Sequence, residues 1–175
     1  FPFPCIVKPR LGRGSRNVNI IKKAEQVSSY LSLNEFSAEE VVLQELIKGQ
    51  EYTVLMSADS KANLNAIVPV KVYEKRGVTI RAKTENNKKV IRGCKKIHKA
   101  IPARGCYNIQ LIFTDDHRVM PFEINPRVST TFCLILASGI DPIAVYFEKD
   151  EQSKLLTFQS GLHLSRSWTN FFRTK

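Results

Sequence analysis

The sequence has few cysteines and far fewer acidic than basic residues. Its 175 residues carry 27 Lys and Arg against 16 Asp and Glu, which gives a net charge of +11. The four cysteines form no Cys-x-x-Cys pair and the three histidines are not clustered, so zinc and dithiol redox motifs are absent. We therefore expect reduced, mostly buried thiols. The cysteines are Cys5, Cys94, Cys106 and Cys133, and the histidines are His98, His117 and His163.

Long apolar runs are also absent. No run approaches the roughly 18 residues needed to cross a bilayer, and the start, Phe1-Pro2-Phe3-Pro4, lacks the charge and the apolar stretch of a signal peptide. These absences predict a cytoplasmic protein with no membrane partner. A hydrophobic content of 43% supports one ordinary domain or two small lobes. Because the chain starts without Met and soon enters a strand, we expect a piece of a longer protein.

The excess of positive charge favours an anionic partner, and a nucleotide, a polyanion or a nucleic acid would each satisfy it. Much of the excess lies in one predicted amphipathic helix, residues 86–100, preceded by the acidic residue Glu85. Such a run is usually a solvated face. Its basic residues are Lys88, Lys89, Arg92, Lys95, Lys96 and Lys99.

The order of patterns predicts an α+β fold with antiparallel sheets, because short polar turns separate most neighbouring strands. Predicted strands cover residues 5–9, 18–21, 41–47, 51–57, 64–73, 78–83, 107–113 and 119–125. Predicted helices cover residues 22–33, 86–100 and 130–138, the last capped by Ser129, and a further helix starts at Asp141-Pro142.

One stretch, residues 119–127, concentrates groups that bind cations and anions. Side chains at i and i+2 of a strand share a face, so Glu123 and Asn125 point the same way. Carboxylate and carboxamide oxygens are ligands that Mg²⁺ takes, together with water and phosphate oxygens. Arg127 follows directly, and its guanidinium suits a phosphate or carboxylate.

The pairing of this stretch with the preceding strand follows from two apolar sets that must share one buried face. These sets are Ile109, Leu111 and Phe113 on the first strand and Met120, Phe122 and Ile124 on the second. In every register that matches them, Gln110 falls on the face of Glu123 and Asn125, within reach of one cation. The competing interpretation is a strand that shows polar residues to water.

A glycine-bearing loop, residues 10–17, lies between the first two predicted strands. Its glycines let backbone N–H groups turn towards anionic oxygens, and its arginines add positive charge. Asn17 tolerates the left-handed conformation better than most residues do. Two glycines form a weak motif, so phosphate binding and an ordinary mobile hairpin both stay open.

This order of features resembles the ATP-grasp superfamily, most closely the branch related to the large subunit of carbamoyl phosphate synthase. The resemblance runs from about residue 6 to residue 168. It implies an ATP-grasp fold with two lobes, residues 1–46 and 47–175, and a nucleotide site between them. It also implies an ATP- and Mg²⁺-dependent carboxylate–amine ligase, with Mn²⁺ as an alternative metal, that acts through an acyl phosphate and forms a homodimer in some members.

The resemblance carries roles onto individual residues. Arg127 matches the catalytic arginine that faces the transferred phosphate or acyl phosphate. The matching metal ligands are Gln110, Glu123 and Asn125. The matching ATP-binding residues are Lys8 and the loop Gly12, Arg13, Gly14 and Ser15 for the phosphates, Gln44, Glu45, Leu46 and Ile47 for adenine, and Glu51 for the ribose.

Members of this family usually carry an earlier domain, which the sequence does not include, so we expect that domain as a partner of this one. The carboxylate substrate and the nucleophile stay open. One alternative is a non-enzymatic basic module that binds nucleic acid or another polyanion through residues 88–99, and it is disfavoured because that helix has no aromatic side chains for a single-strand platform. The other is a degenerate member that binds nucleotide as a regulator.

Overall fold

A computed structural model describes residues 1–12, 14–147 and 155–173. The chain divides into two compact units, Phe1–Lys48 and Gly49–Lys175. The predicted boundary between the two lobes follows residue 46, whereas the boundary between these units follows Lys48. The roles predicted for the two lobes stay predictions.

The first unit is a three-stranded antiparallel sheet with one helix, α1 (Glu25–Asn34), packed on it. The strands lie in the order β2 (Asn19–Ile21), β1 (Cys5–Pro9) and β3 (Val41–Glu45). The predicted hairpin of the first two strands is confirmed by their pairing. Helix α1 starts three residues later than predicted, because the Gln26 side chain accepts hydrogen bonds from the Lys22 and Lys23 backbone N–H groups and holds them in a turn. The elements are β1 Cys5–Pro9, β2 Asn19–Ile21, α1 Glu25–Asn34, a 3-10 helix Ala38–Glu40 and β3 Val41–Glu45.

The second unit is built on a six-stranded antiparallel sheet. Its strands lie in the order β8 (Val119–Asn125), β7 (Gly105–Phe113), β4 (Gln50–Ala58), β5 (Leu64–Arg76), β6 (Val78–Thr84) and β9 (His163–Ser165). All neighbouring pairs in it are antiparallel, as the sequence predicted. The elements are β4 Gln50–Ala58, β5 Leu64–Arg76, β6 Val78–Thr84, α2 Lys88–Ala100, β7 Gly105–Phe113, β8 Val119–Asn125, α3 Phe132–Ala137, α4 Pro142–Phe147 and β9 His163–Ser165.

The two faces of this sheet bury different apolar clusters. On one face, Val90 and Cys94 of α2 pack with Ile109 and Leu111 of β7. On the opposite face, Leu55 of β4 packs with residues of α3. Because neighbouring strand residues alternate between faces, each polar side chain of β7 can be assigned to the α2 face or to the α3 face.

The helix α2 approaches β8 closely at Gly93. A Cβ at this position would lie 2.7 Å from Val119 Cγ2 and 2.8 Å from Val119 Cβ. Alanine would therefore raise helix propensity by roughly 1 kcal/mol but overpack the interface by roughly 1–3 kcal/mol. We expect Gly93→Ala to lower the free energy of unfolding in urea by about 1 kcal/mol. A stabilised Gly93→Ala variant would contradict this packing.

Three details of the C-terminal region differ from the prediction or extend it. Helix α3 begins at Phe132 rather than residue 130, since the Ser129 hydroxyl accepts from the nearby Thr131 N–H and so forms a turn. The Asp141 cap is confirmed, because its carboxylate accepts from the Ile143 and Ala144 N–H groups at 3.0 and 3.1 Å. The short strand β9 pairs with β6, so part of the tail joins the sheet. Within the described residues, no helix is both long and apolar enough to cross a membrane.

Candidate functional site

The hairpin of β7 and β8 brings the predicted metal ligands to one face of the sheet. Gln110 lies directly opposite Glu123, and its Nε2 donates to Glu123 Oε2 at 3.0 Å. Asn125 lies opposite Asn108, two residues along each strand from the first pair. Alternation then places Gln110, Glu123 and Asn125 on the face away from Ile109 and α2. The prediction that Gln110 and Glu123 share a face is confirmed, and the use of their oxygens by one cation stays a prediction.

The register of this hairpin contains an irregularity that the apolar pattern did not predict. Ile109 lies opposite Ile124, as expected, but the pairing shifts between Gln110 and Leu111 and leaves Phe122 as an extra residue. Beyond this β-bulge Met120 faces Ile112, on the Gln110 side of the sheet. The prediction that Met120 shares the buried face of Leu111 is therefore wrong, and Val119 packs against that core instead.

Beside these donors, on the same face of the sheet, lies a buried polar pair. Thr53 of β4 is opposite Gln110, and its hydroxyl donates to Asn108 Oδ1 at 2.7 Å. Both side chains are buried, so this hydrogen bond satisfies groups that would otherwise cost stability. The two members of the pair lie directly opposite Gln110 and Asn125. The sequence analysis did not predict this pair, because Thr53 and Asn108 lie on different strands and no local pattern relates them.

A lysine that the sequence analysis also missed joins two of the candidate residues. The Lys75 ammonium lies 2.9 Å from Glu51 Oε1 and 3.1 Å from Gln110 Oε1. The predicted strand stopped at residue 73, whereas β5 continues to Arg76 through register shifts on either side of Glu74. Those shifts break the alternation that would have assigned Lys75 to a face.

The donor set fits a hard cation. Gln110 Oε1 already accepts from an ammonium, Glu123 offers an exposed carboxylate, and Asn125 adds an amide on the same face. Among the described residues, no three His, Cys, Asp or Glu side chains come together to hold a metal. A metal at this face would therefore take one carboxylate and two amide oxygens, and oxygens of water and phosphate would complete a Mg²⁺-like shell.

Arg127 lies just beyond β8, on the same segment as these donors. Its backbone N–H donates to Asn125 O at 2.8 Å, which forms a tight turn. The side chain is exposed, and Nη1 donates to the Val128 carbonyl at 3.1 Å. The guanidinium keeps further N–H donors for an anion, since it carries five.

In the first unit, two predicted nucleotide residues share a face of the sheet. Lys8 pairs with Val42 and Ile6 pairs with Gln44, on alternate positions to the buried Cys5 and Val7. Lys8 and Gln44 thus lie on the face away from the core, beside apolar side chains. Glu45 ends β3 as an exposed residue, and Leu46 and Ile47 follow it, half-buried and outside regular structure.

The glycine loop between β1 and β2 contains three residues with a left-handed backbone among those described. Gly14, Ser15 and Asn17 have φ values of 63°, 57° and 57°, so the expected left-handed Asn17 is confirmed. Tyr30 of α1 anchors the loop by donating its hydroxyl to Asn17 O at 2.6 Å. Gly12 lies at the start of the loop and is exposed. Arg13 lies outside the described residues.

Cys94, Cys106 and the buried His98 have surroundings that indicate a structural role. Cys5 is also buried, whereas Cys133 is exposed. Burial raises the pKa of the Cys94 thiol to about 12, and burial also raises the pKa of Cys106. Both thiols are therefore protonated and poorly nucleophilic near neutral pH. His98 is held between the Tyr107 hydroxyl, 2.6 Å from Nδ1, and the Ala62 carbonyl, 2.8 Å from Nε2. A carbonyl oxygen can only accept a hydrogen bond, so Nε2 carries a proton. His98 therefore joins Ala62 to Tyr107 through two hydrogen bonds.

These observations define a class of protein with an α+β fold, a β-hairpin that presents oxygen ligands, and a separate small sheet with a glycine loop. The sequence matches the model of the ATP-grasp domain over residues 2–131. The chain belongs to the ATP-grasp domain family. No curated protein sequence matches it.

Solved structures with the same fold share little sequence with this chain. Biotin carboxylase from Campylobacter jejuni, solved as a β-γ-ATP complex, has a TM-score of 0.71 at 17% identity, covering 93% of this chain and 41% of that one. The biotin carboxylase domain of 2-oxoglutarate carboxylase from Hydrogenobacter thermophilus, with MgADP, ADP and bicarbonate, has a TM-score of 0.70 at 14% identity over 87% and 38% of the two chains. N5-carboxyaminoimidazole synthetase from Staphylococcus aureus, with ADP, has a TM-score of 0.63 at 14% identity over 82% and 39%. The chain spans about two fifths of the length of these structures.

Proposed function

We propose that this chain supplies the ATP- and Mg²⁺-binding part of a carboxylate–amine ligase from the branch that resembles the large subunit of carbamoyl phosphate synthase. In this proposal the γ-phosphoryl group of ATP passes to a carboxylate, and an amine or another nucleophile then displaces phosphate from the acyl phosphate. The whole reaction uses further protein beyond the length that this chain spans.

The observation that supports this proposal is the pair Gln110–Glu123, with Asn125 on the same face and the Lys75 ammonium on Gln110 Oε1. The Lys75 ammonium contacts this oxygen, which supports a role for it as an acceptor from a cation. Phosphoryl transfer depends mainly on positioning and on charge neutralisation, and Mg²⁺ supplies that neutralisation when bound. The buried Thr53–Asn108 pair lies beside these donors and is proposed to limit their movement.

The remaining roles are those that the resemblance to the ATP-grasp superfamily implies, and the chemistry of each side chain is compatible with them. Arg127 is proposed to bind the transferred phosphate or the acyl phosphate, since its exposed guanidinium can hold two oxygens at once. Lys8 and the glycine loop are proposed to bind the ATP phosphates, and Glu51 the ribose hydroxyls. A carboxylate as small as bicarbonate or as large as a peptide would suit Arg127. Calorimetry with ATP, with and without Mg²⁺, tests binding directly, and ADP release across a panel of carboxylates and amines tests turnover.

Lys75 gives a sharper test of the site. A divalent metal bound to Gln110 Oε1 would repel the ammonium that contacts the same atom, by about 2 kcal/mol at roughly 4 Å in a water-like dielectric, and salt reduces this repulsion. ATP without metal would instead be attracted to Lys75. We therefore expect Lys75→Met to tighten binding of Mn²⁺ alone two- to fivefold and to weaken binding of metal-free ATP by a similar factor, both measured by titration.

Arg76→Met is the matched control, because it removes the same charge from the next residue. Arg76 pairs with Glu74 at 2.8 Å rather than with the candidate ligands. Equal shifts in Lys75→Met and Arg76→Met would mean that net charge alone is responsible, and would count against a cation site at Gln110. If the unaltered protein binds neither ATP nor Mn²⁺, the proposed function itself fails.

A further inference from the structure

The six basic side chains of α2 cannot serve the candidate nucleotide site of the second unit. Val90 and Cys94 of α2 pack on the sheet face that carries Ile109, whereas Gln110 and Glu123 lie on the other face. All six basic side chains are exposed. Six of the 27 Lys and Arg residues thus lie on a surface that points away from those donors.

These six residues form one continuous stripe, which we call the basic face of α2. At 100° per residue they fall within an arc of about 120°, centred opposite the buried Val90 and Cys94. Lys88, Arg92, Lys95 and Lys99 follow one line along the helix, at spacings of three and four residues, over roughly 16 Å. Lys89 and Lys96 flank this line.

The basic face has no acidic counterpart in the described part of the chain. The three ion pairs formed by the described residues are Lys75–Glu51, Arg76–Glu74 and Arg118–Asp116. Glu85, the acid nearest in sequence, accepts a short hydrogen bond from the Tyr52 hydroxyl. No side chain of the basic face therefore shares its charge with a described carboxylate.

This arrangement costs the helix stability rather than adding to it. Lys88 and Lys89 occupy the first turn, where the helix dipole disfavours positive charge. Like charges at spacings of three and four residues also repel, by roughly 0.2–0.5 kcal/mol for each pair. An external polyanion would offset both effects.

We propose that the basic face of α2 binds the phosphate backbone of double-stranded nucleic acid, independently of its sequence. Protein–protein interfaces favour aromatic residues and arginine and are depleted in lysine, whereas five of these six residues are lysines and none is aromatic. The same lack of aromatics disfavours single strands, which bind by base stacking, but it does not affect contacts with a duplex backbone. Over roughly 16 Å a DNA duplex presents about nine phosphates, enough for all six cations. This inference does not rest on the proposed function.

The test is fluorescence anisotropy of a labelled DNA duplex of mixed sequence, titrated with the protein between about 50 and 200 mM salt. We expect a dissociation constant of about 10⁻⁴ to 10⁻⁶ M near physiological salt, and a log–log salt slope of up to about −5, since six contacts contribute about −0.9 each. Substituting Lys88, Arg92, Lys95 and Lys99 by Gln should weaken binding at least tenfold and bring the slope towards −2. Circular dichroism checks that the variant is folded.

A control variant removes the same charge elsewhere, through Lys22→Gln, Lys23→Gln, Lys48→Gln and Lys61→Gln at exposed positions. Duplex binding that survives in this control and is lost in the α2 variant supports the proposal. Equal loss in both variants overturns it, because net charge alone would then explain binding. Polyglutamate or phosphatidylserine vesicles binding the basic face more tightly than the duplex would also overturn it, in favour of an acidic protein or a membrane surface. No duplex binding at the lowest salt overturns it as well.

Discussion

Glu123→Gln is expected to abolish the effect of Mg²⁺ on ATP binding while the protein stays folded. Glu123 is the one carboxylate of the proposed donor set, and its replacement by an amide of the same shape removes the negative charge that holds the cation. We expect the metal-dependent affinity for ATP to fall by about 100-fold or more, which is about 2.8 kcal/mol. Calorimetry with ATP in the presence of Mg²⁺ and of EDTA measures this difference.

The same substitution should leave stability nearly unchanged, because Glu123 is exposed and substitutions of exposed side chains usually change stability by less than about 0.5 kcal/mol. Asp115→Asn is a suitable control, since it neutralises an exposed carboxylate in the turn of the same hairpin. Asn125→Ala should weaken metal-dependent binding in the same direction. Unchanged metal dependence in both Glu123→Gln and Asn125→Ala would refute the proposed site.

Gly49→Ala is expected to cause the largest loss of stability among single substitutions at the glycines of the second unit. Gly49 has a φ of 150°, and a Cβ there would lie 2.4 Å from the Phe113 carbonyl oxygen and 2.7 Å from Ile112 Cγ2. The strained backbone costs roughly 1–3 kcal/mol and the overpacking a similar amount. We expect the free energy of unfolding to fall by about 3 kcal/mol or more, because the blocking atom is backbone and cannot rotate away.

Gly77→Ala separates the two causes. Gly77 also has a positive φ, 71°, but a Cβ there meets no atom within 4 Å. It should therefore show the conformational cost alone, roughly 1 kcal/mol. Urea unfolding with an unchanged slope measures both variants. A loss at Gly49 no greater than that at Gly77 would mean that the contact with Phe113 is relieved by movement of β7.

The convergence of Gln110 with Glu123 could be predicted because it depends on parity alone. A strand repeats every two residues, so matching the apolar faces of β7 and β8 fixes which polar residues share the other face. The β-bulge at Phe122 does not change this result, because it lies between Glu123 and the turn of the hairpin. The pairing of Glu123 with Gln110 is therefore not shifted. Met120, beyond the bulge, shows where the same argument failed.

Some local features of the backbone could also be predicted from the sequence. The left-handed Asn17 and the Asp141 cap each depend on one residue and its immediate neighbours, so their side chains carry the information. Helix starts were less predictable. At α1 a turn held by Gln26 replaces the first helical residues, and hydrophobic spacing does not distinguish that turn from a helix.

The sequence by itself determined the family, the antiparallel strands and the face shared by Gln110, Glu123 and Asn125, because each depends on order, spacing or alternation along the chain. Only the tertiary structure decided that Lys75 contacts Glu51 and Gln110, and that the basic face of α2 points away from those donors. Both depend on which strand lies beside which and on where a register shifts. Such pairings join residues that are far apart in the chain. They are stabilised by tertiary packing, which a local sequence pattern does not encode.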